Sequence, residues 1–287
     1  YAEYADDWFN TYAYANNRPA EIRRKEGILR VHLKPFYGKL RLERIGEREI
    51  DAFKRRVLEL GLSRKTLNNM LTVLRKSLDC AVERGLLDRM PRCKAVSVPR
   101  DDEVEILTPD NERLFLTDWS KPLWNTAMRV ALKTGMRVSE ILALRWVDID
   151  YDGNTISVNA SMNVDRERAP TKNGRTRRIP MHSLVSSTLK DFKPLARSKG
   201  VSGYIFDRGD GLPYDNKRAG DALKVLARQL GIDQHVHWHM FRHTAATRMA
   251  NTIPNLRVVQ KILGHASVTM TERYTHPDLD AMHEAMT

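Results

Sequence analysis

The sequence predicts a mainly α chain with a small β-sheet, an α+β fold with an all-helical front and a mixed remainder. Two observations carry this. The first hundred residues show helical spacing and no convincing strand, whereas two-residue alternation is confined to short stretches between residues 155 and 206. After Asp215 the chain returns to helical patterning.

The elements follow in order. Ala2 to Tyr14 sets alanines and aromatic rings three and four residues apart and predicts the first helix. Pro19 suits the first turn of a second helix, running through Ile22, Ile28, Leu29 and Leu33 and ended by Pro35 and Gly38. A third is expected from Glu47 to Leu60, with Gly61 as its stop. The fourth is the clearest: Ser63 is its N-cap, Leu67, Met70, Leu71, Leu74, Leu78, Ala81 and Val82 trace one apolar stripe, and Gly85 stops it. Its other faces carry Arg64, Lys65, Arg75, Lys76 and Arg84, so this front end reads as a small bundle with a basic exterior.

Residues 86–106, rich in Pro, Arg and Asp, lose all periodicity. The expected organisation is a helical domain at 1–90, a linker at 91–106 and a mixed domain at 107–287. Within the last, Thr108 caps a helix opened by Pro109, Leu123–Thr134 is apolar and helical, and Ser139–Leu144 is a short helix. Thr155–Val158 alternates after Asp152-Gly153 and predicts a strand, and Thr176–Ile179 predicts a second. Asn173-Gly174 is the expected tight turn between them, and Tyr204–Phe206 a further extended piece.

Composition narrows the function. The chain has 287 residues, enough for about two domains, and 41% hydrophobic residues, enough for ordinary cores. There is no apolar run of about 18 residues and no secretory signal pattern, so no membrane partner is expected. Tyr1 in place of an initiator Met fits an internal position in a longer gene product. Cys80 and Cys93 form neither a disulfide framework nor a CxxC pair, which fits a reducing cytoplasm. Net charge is +12, and residues 1–100 hold 22 Lys and Arg against 13 Asp and Glu. Three quarters of the excess charge thus sits in the first third, and a polyanion is the natural partner.

The residues that could carry chemistry lie in three segments: Thr134-Gly135-Met136-Arg137-Val138-Ser139-Glu140, His239-Met240-Phe241-Arg242, and Leu263-Gly264-His265 through Tyr274. Cleaving a phosphodiester without a metal needs an in-line nucleophile, cations on the non-bridging oxygens and an acid for the leaving oxygen. Arginine suits the second need, because its planar fork binds phosphate through two bonds and keeps its charge. Arg137 stands at a helix start with Glu140 one turn on, a spacing that surface Arg–Glu pairs also show. His239 and Arg242 share a helical face, while His243 and Arg248 fall on other parts of that helix. His265 follows a helix-ending glycine nine residues before Tyr274, and Ser267 is the expected N-cap of a small helix presenting the phenol. Lys172, at the expected hairpin tip, is a candidate general acid; a lone loop lysine is ordinarily a solvated charge. His235, His237, His239 and His243 are dense, but no HExxH, Cys pair, Asp-rich loop or Walker loop accompanies them, so neither metal nor nucleotide is expected.

Taken together, Arg137 with Glu140, Lys172, His239 to Arg242, Leu263 to His265 and Tyr274 resemble the tyrosine recombinase, or phage integrase, family. Each piece alone is weak; the combination is specific, and the likeness runs along the entire chain. The resemblance implies a helical core-binding domain and a mixed catalytic domain forming a C-shaped clamp on double-stranded DNA. Tyr274 is implied as the nucleophile, forming a 3′-phosphotyrosyl bond and freeing a 5′-hydroxyl. Arg137 and Arg242 are implied to hold the non-bridging oxygens, His239 and His265 to assist with hydrogen bonds and protons, Lys172 to protonate the 5′ oxygen, and Glu140 to support them. No cofactor, metal or ATP is needed, because the covalent bond keeps the phosphodiester energy. The implied assembly is a monomer in solution and a tetramer on two core sites, exchanging strands through a Holliday junction, with accessory DNA-bending or directionality proteins as further partners. The implied setting is a bacterial or phage-infected cytoplasm, at the nucleoid. Arg64, Lys65, Arg75, Lys76 and Arg175 are the candidate DNA contacts. An arm-binding domain ahead of Tyr1 and docking of the tail bearing Leu279, Met282 and Met286 on a neighbouring protomer both stay open.

The leading functional expectation is an integrase-type site-specific recombinase of a phage or mobile element. The alternatives are a chromosome-dimer resolving recombinase, a type IB topoisomerase and a DNA-binding regulator without catalysis.

Overall fold

The computed structural model describes residues 1–99, 104–117, 120–163, 165–171, 174 and 176–275. The chain divides into two compact units, Tyr1–Arg100 and Asp101–Thr287.

Among its described residues the first unit has helices and no strand: α1 (Ala2–Trp8), α2 (Tyr14–Asn16), α3 (Pro19–Ile28), α4 (Lys34–Tyr37), α5 (Glu47–Glu59) and α6 (Arg64–Glu83), followed by irregular chain from residue 84. Wider π-turns at Phe9–Ala13 and Leu29–Leu33 join α1 to α2 and α3 to α4. Pro35 does not end its helix, contrary to the sequence expectation. The π-turn runs directly into α4 with Pro35 as its second residue, and the chain leaves the helix only at Gly38. Ser63 caps α6 as expected, its hydroxyl accepting from the Thr66 amide at 3.1 Å. Leu67, Met70, Leu71, Leu74 and Leu78 of the α6 stripe are buried with Trp8, Leu33, Tyr37, Ile50 and Phe53. Phe36, Tyr37 and Phe53 pack with ring centres 4.8–5.3 Å apart.

The unit extends past the expected boundary at residue 90. Cys93 is buried in its core, Val96 packs on it, and the Asn68 amide bonds both the N–H and the C=O of Val96.

The second unit holds α7 (Pro109–Thr117), α8 (Pro122–Thr134), α9 (Val138–Leu142), β1 (Ile149–Asp150), β2 (Thr155–Val158), β3 (Ala160–Met162), β4 (Arg168–Pro170), β5 (Arg177–Pro180), α10 (Ser183–Phe192), α11 (Asn216–Gln229), α12 (Trp238–Thr252), α13 (Leu256–Leu263) and α14 (Thr269–Glu272). Helix α8 packs against α10 and α12, around a core that includes Phe115, Met128, Ile141, Phe206 and Phe241.

Among the described residues β1, β2 and β5 form one antiparallel sheet, with Ile156 opposite Ile179, and β3 and β4 form another. The two expected strands therefore do pair, with the second shifted one residue to Arg177–Pro180. They are not consecutive strands, and Asn173 of the expected turn lies outside the described residues. The β3–β4 pair intervenes, and between its strands the Asn163 side-chain oxygen accepts from the Asp165 and Glu167 amides while Arg166 takes φ 64°. Gly174 instead lies in the segment from β4 back to β5. Tyr204 makes only an isolated bridge to Arg145. No helix among the described residues is long and apolar enough to cross a membrane.

Candidate active site

Two helix C-termini build the floor of the site. Helix α8 ends at Gly135, in the left-handed conformation at φ 65°, its N–H returning to Ala131. A side chain here would be strained, and its Cβ would lie 2.5 Å from Leu263 Cδ2. Helix α13 ends at Gly264, φ 66°, with the His265 and Gly264 amides bonding back to Gln260 and Lys261. This is the Schellman pattern, and it fixes where His265 leaves the helix.

Helix ends leave carbonyls without intrahelical partners. Arg242, on α12 and 2% exposed, donates to two of them: Nη1 to the Gly135 oxygen at 2.6 Å and Nη2 to the Leu263 oxygen at 2.8 Å. Burial and then the nearby Arg137 charge lower its pKa to about 10, so it stays cationic at neutral pH.

Arg137 follows two residues after Gly135 as the N-cap of α9. Its backbone N–H and its guanidinium each meet a Glu140 oxygen at 3.0 Å. Glu140 is buried and also receives two bonds from Arg177, at 3.1 and 2.8 Å. Burial pushes this carboxyl up, but the bonds and charge of Arg177, with Arg137, outweigh it and hold the group below the usual carboxylate range. Arg177 also donates to the Ile262 oxygen at 2.8 Å, tying β5 to the end of α13. These groups border a cleft of about 440 Å³ lined by Arg137, Glu140, Thr171, Arg177, Lys261 and His265, among others.

His265 is buried, with Nδ1 2.9 Å from the Thr271 hydroxyl. Burial, followed by Arg242, Arg137 and Arg177, pushes its pKa down to about 3, leaving a neutral ring. His239 keeps an edge exposed on α12, and the surrounding protein together with Arg242 and Arg137 lowers its pKa.

Tyr274 is 3% exposed, two residues past α14, its ring in an apolar cluster with Ala246, Val259 and Leu263. The ring stacks on His265, with centres 6.0 Å apart and planes 14° apart. Its oxygen lies 2.8 Å from His243 Nδ1. Burial raises the phenol pKa, and the charges of Arg242, Arg273 and Arg137 partly oppose that. The resting phenol is therefore protonated and sits in the field of both site arginines.

The structure thus gathers Arg137, Glu140, His239, Arg242, His265 and Tyr274. Lys172 and Arg175 lie outside the described residues, as does the tail from 276. Ser267 does not cap α14; Val268 holds that position and no side chain caps it. His243 is not on another part of the helix. It follows His239 by one turn, their ring centres 4.8 Å apart, and the four-residue spacing was the signal for it. Arg177 was also missed, because its partners are distant in sequence. Arg248, by contrast, is ion-paired with buried Glu112 on α7. Among the described residues no three His, Cys, Asp or Glu side chains converge as metal ligands would. On α6, Lys65 and Arg75 are exposed, Arg64 donates to the Ser97 oxygen, and Lys76 pairs with Asp79.

The phage integrase family model matches residues 105–280. Tyrosine recombinase XerC of Xylella fastidiosa strain M23 is 30% identical over 240 residues, covering 80% of this chain and 76% of the relative. XerC of Bacillus pumilus strain SAFR-032 is 28% identical over 240 residues, covering 79% and 75%. In fold the chain is similar to the Tn1549 transposon integrase in complex with a circular intermediate DNA, at TM-score 0.85, 23% identity and coverage of 99% and 98%. It is also similar to the lambda integrase dimer bound to a COC′ core site, at TM-score 0.77, 20% identity and coverage of 96% and 94%. The chain belongs to the phage integrase family, the tyrosine site-specific recombinases.

Proposed function

We propose that this chain cleaves and rejoins double-stranded DNA through Tyr274, as an integrase-type recombinase of a phage or mobile element. The observation that carries the reading is the phenol oxygen at the edge of a cluster in which Arg242 is pinned by two helix ends and Arg137 by buried Glu140. In the reaction the Tyr274 oxygen attacks the phosphorus, the bond to the 5′ oxygen breaks, and a 3′-phosphotyrosyl link remains. Arg137 and Arg242 neutralise the non-bridging oxygens where charge builds in the transition state. His265 and His239, uncharged at rest, hydrogen-bond the phosphate and handle protons. Lys172 protonates the departing 5′ oxygen. The first unit, with Lys65 and Arg75 exposed on α6, supplies backbone contacts, with Arg64, Lys76 and Arg175 as further candidates. Four copies act on two sites. The DNA-bound integrases that share the fold support the DNA partner.

A second reading, resolution of chromosome dimers, is favoured by the XerC relatives. Plasmids carrying paired sites from a mobile-element junction or from a chromosome terminus separate the two by which pair recombines. Relaxation of a plasmid lacking any site would instead indicate a topoisomerase. The chemistry is tested on a nicked substrate that loses the short fragment carrying the freed 5′-hydroxyl. Wild type should yield an SDS-resistant adduct and Tyr274→Phe none, with duplex binding retained. An adduct formed by the Phe variant removes Tyr274 as the nucleophile.

A further inference from the structure

Deprotonating Tyr274 is the unsolved step of that proposal. Burial keeps the phenol protonated, and a protonated phenol is a poor nucleophile. A base is needed within about 3.2 Å of its oxygen. His265 does not meet that need, since its Nδ1 is taken by Thr271 and its ring lies flat on the tyrosine ring. His239 contacts the edge of His243.

We propose that His243 is the general base of strand cleavage, its Nδ1, 2.8 Å from the Tyr274 oxygen, taking the phenol proton as that oxygen attacks the phosphate. The inference rests on the reading of Tyr274 as nucleophile. In the resting site the phenol donates to Nδ1 and the imidazole carries its proton on Nε2. During the step the O–P bond to tyrosine forms, the P–O5′ bond breaks, the phenol proton passes to Nδ1, and a separate acid protonates the 5′ oxygen. Rejoining reverses each transfer, and the imidazolium returns its proton to the departing tyrosine oxygen.

Position suits His243 to the role. Helix α12 is anchored one residue earlier by Arg242, which holds the helix against the two C-termini. The groups facing His243 are His237 just before α12, His239 and Arg242 from α12, Arg273 and Tyr274 after α14, and His265 before it. Burial first, then the neighbouring His239, Arg273, His237 and Arg242, lowers its pKa to about 4, so the ring is an acceptor at neutral pH. An arriving phosphate offsets the charges of Arg273 and Arg242 and raises the proton affinity of the ring. Transfer is therefore unfavourable until DNA occupies the site.

The test compares wild type, His243→Asn and His243→Ala in single-turnover adduct formation on the nicked substrate. Asn places an acceptor oxygen near Nδ1 without a proton affinity to match. We expect the Asn variant to form adduct about 10²-fold slower or more, the usual contribution of a general base. Its DNA affinity should stay within about twofold of wild type. Added imidazole should partly rescue the Ala variant, and more basic imidazoles should rescue it better. A substrate with sulfur at the 5′ bridging position needs no acid for its leaving group, so it should leave the Asn defect in place. Adduct formation by His243→Asn within threefold of wild type would overturn the proposal, because hydrogen bonding alone would then suffice. Faster cleavage by both variants would also overturn it, making His243 a restraint. If the adduct maps to a residue other than Tyr274, the underlying reading fails; if it maps to Tyr274 but His243→Asn is unimpaired, only this inference does.

Discussion

At the scale of single residues, the site depends on cations whose own positions are fixed by buried acceptors. Arg242 gives two of its donors to helix-end carbonyls, and in the proposed reaction the rest of its fork meets the phosphate. A lysine carries the same charge but cannot span both carbonyls. Arg242→Lys should therefore lower single-turnover cleavage by about 10²-fold, the scale of losing one transition-state donor. A drop under threefold would take Arg242 out of the site. Arg177 acts at one remove, through Glu140. Replacing it with methionine leaves a buried carboxylate short of its strongest partner, which costs about 3–5 kcal/mol. The pH sign follows from the depressed pKa of Glu140. The stability it lends is complete above about pH 4.3 and is lost as pH falls through the lower folded-state value. Arg177→Met should weaken that depression and move the acid-unfolding midpoint to higher pH. An unchanged acid limb in a urea–pH series would show that Arg177 does not set the Glu140 charge.

At the scale of elements, two glycines hold the site in register. Gly135→Ala imposes left-handed strain of about 1–2 kcal/mol and drives a methyl into Leu263, shifting the carbonyls that hold Arg242. Gly264→Ala presses on the Arg177 guanidinium, 2.9 Å from the new Cβ. Gly85→Ala has a similar φ, 69°, and open space, so it isolates the backbone cost. The first two variants should lose cleavage well beyond their loss of melting temperature, and the third should lose melting temperature alone. Equal cleavage in all three would mean the helix ends do not position Arg242. The same scale shows what was legible in the sequence. Helix α6 was readable because its cap, stripe and stop agree within one segment. The β3–β4 pair was not: its strands have three residues each, and its turn uses Arg166 rather than glycine in the left-handed conformation. Arg137, Arg242, His265 and Tyr274 could be picked out because they sit in recognisable local motifs. Arg177 could not, since its role exists only through contacts 37 and 85 residues away.

At the scale of the whole molecule, the basic excess of the first hundred residues and the cationic site of the second unit both suit a phosphate backbone. If six or more phosphates are neutralised, affinity should fall roughly 10³-fold or more between about 50 and about 200 mM salt. Arg75→Ala should then lower the salt slope by about 1 without changing site preference. A flat response would contradict broad backbone contact. The central claim is chemical, and one measurement reaches it most directly: trap the covalent adduct on a suicide substrate labelled at the 5′ end of the cleaved strand, digest it, and identify by mass spectrometry the residue and the DNA end that are joined. The account predicts a single phosphotyrosine link between Tyr274 and a 3′ phosphate. A link at any other residue, or to a 5′ phosphate, would contradict it.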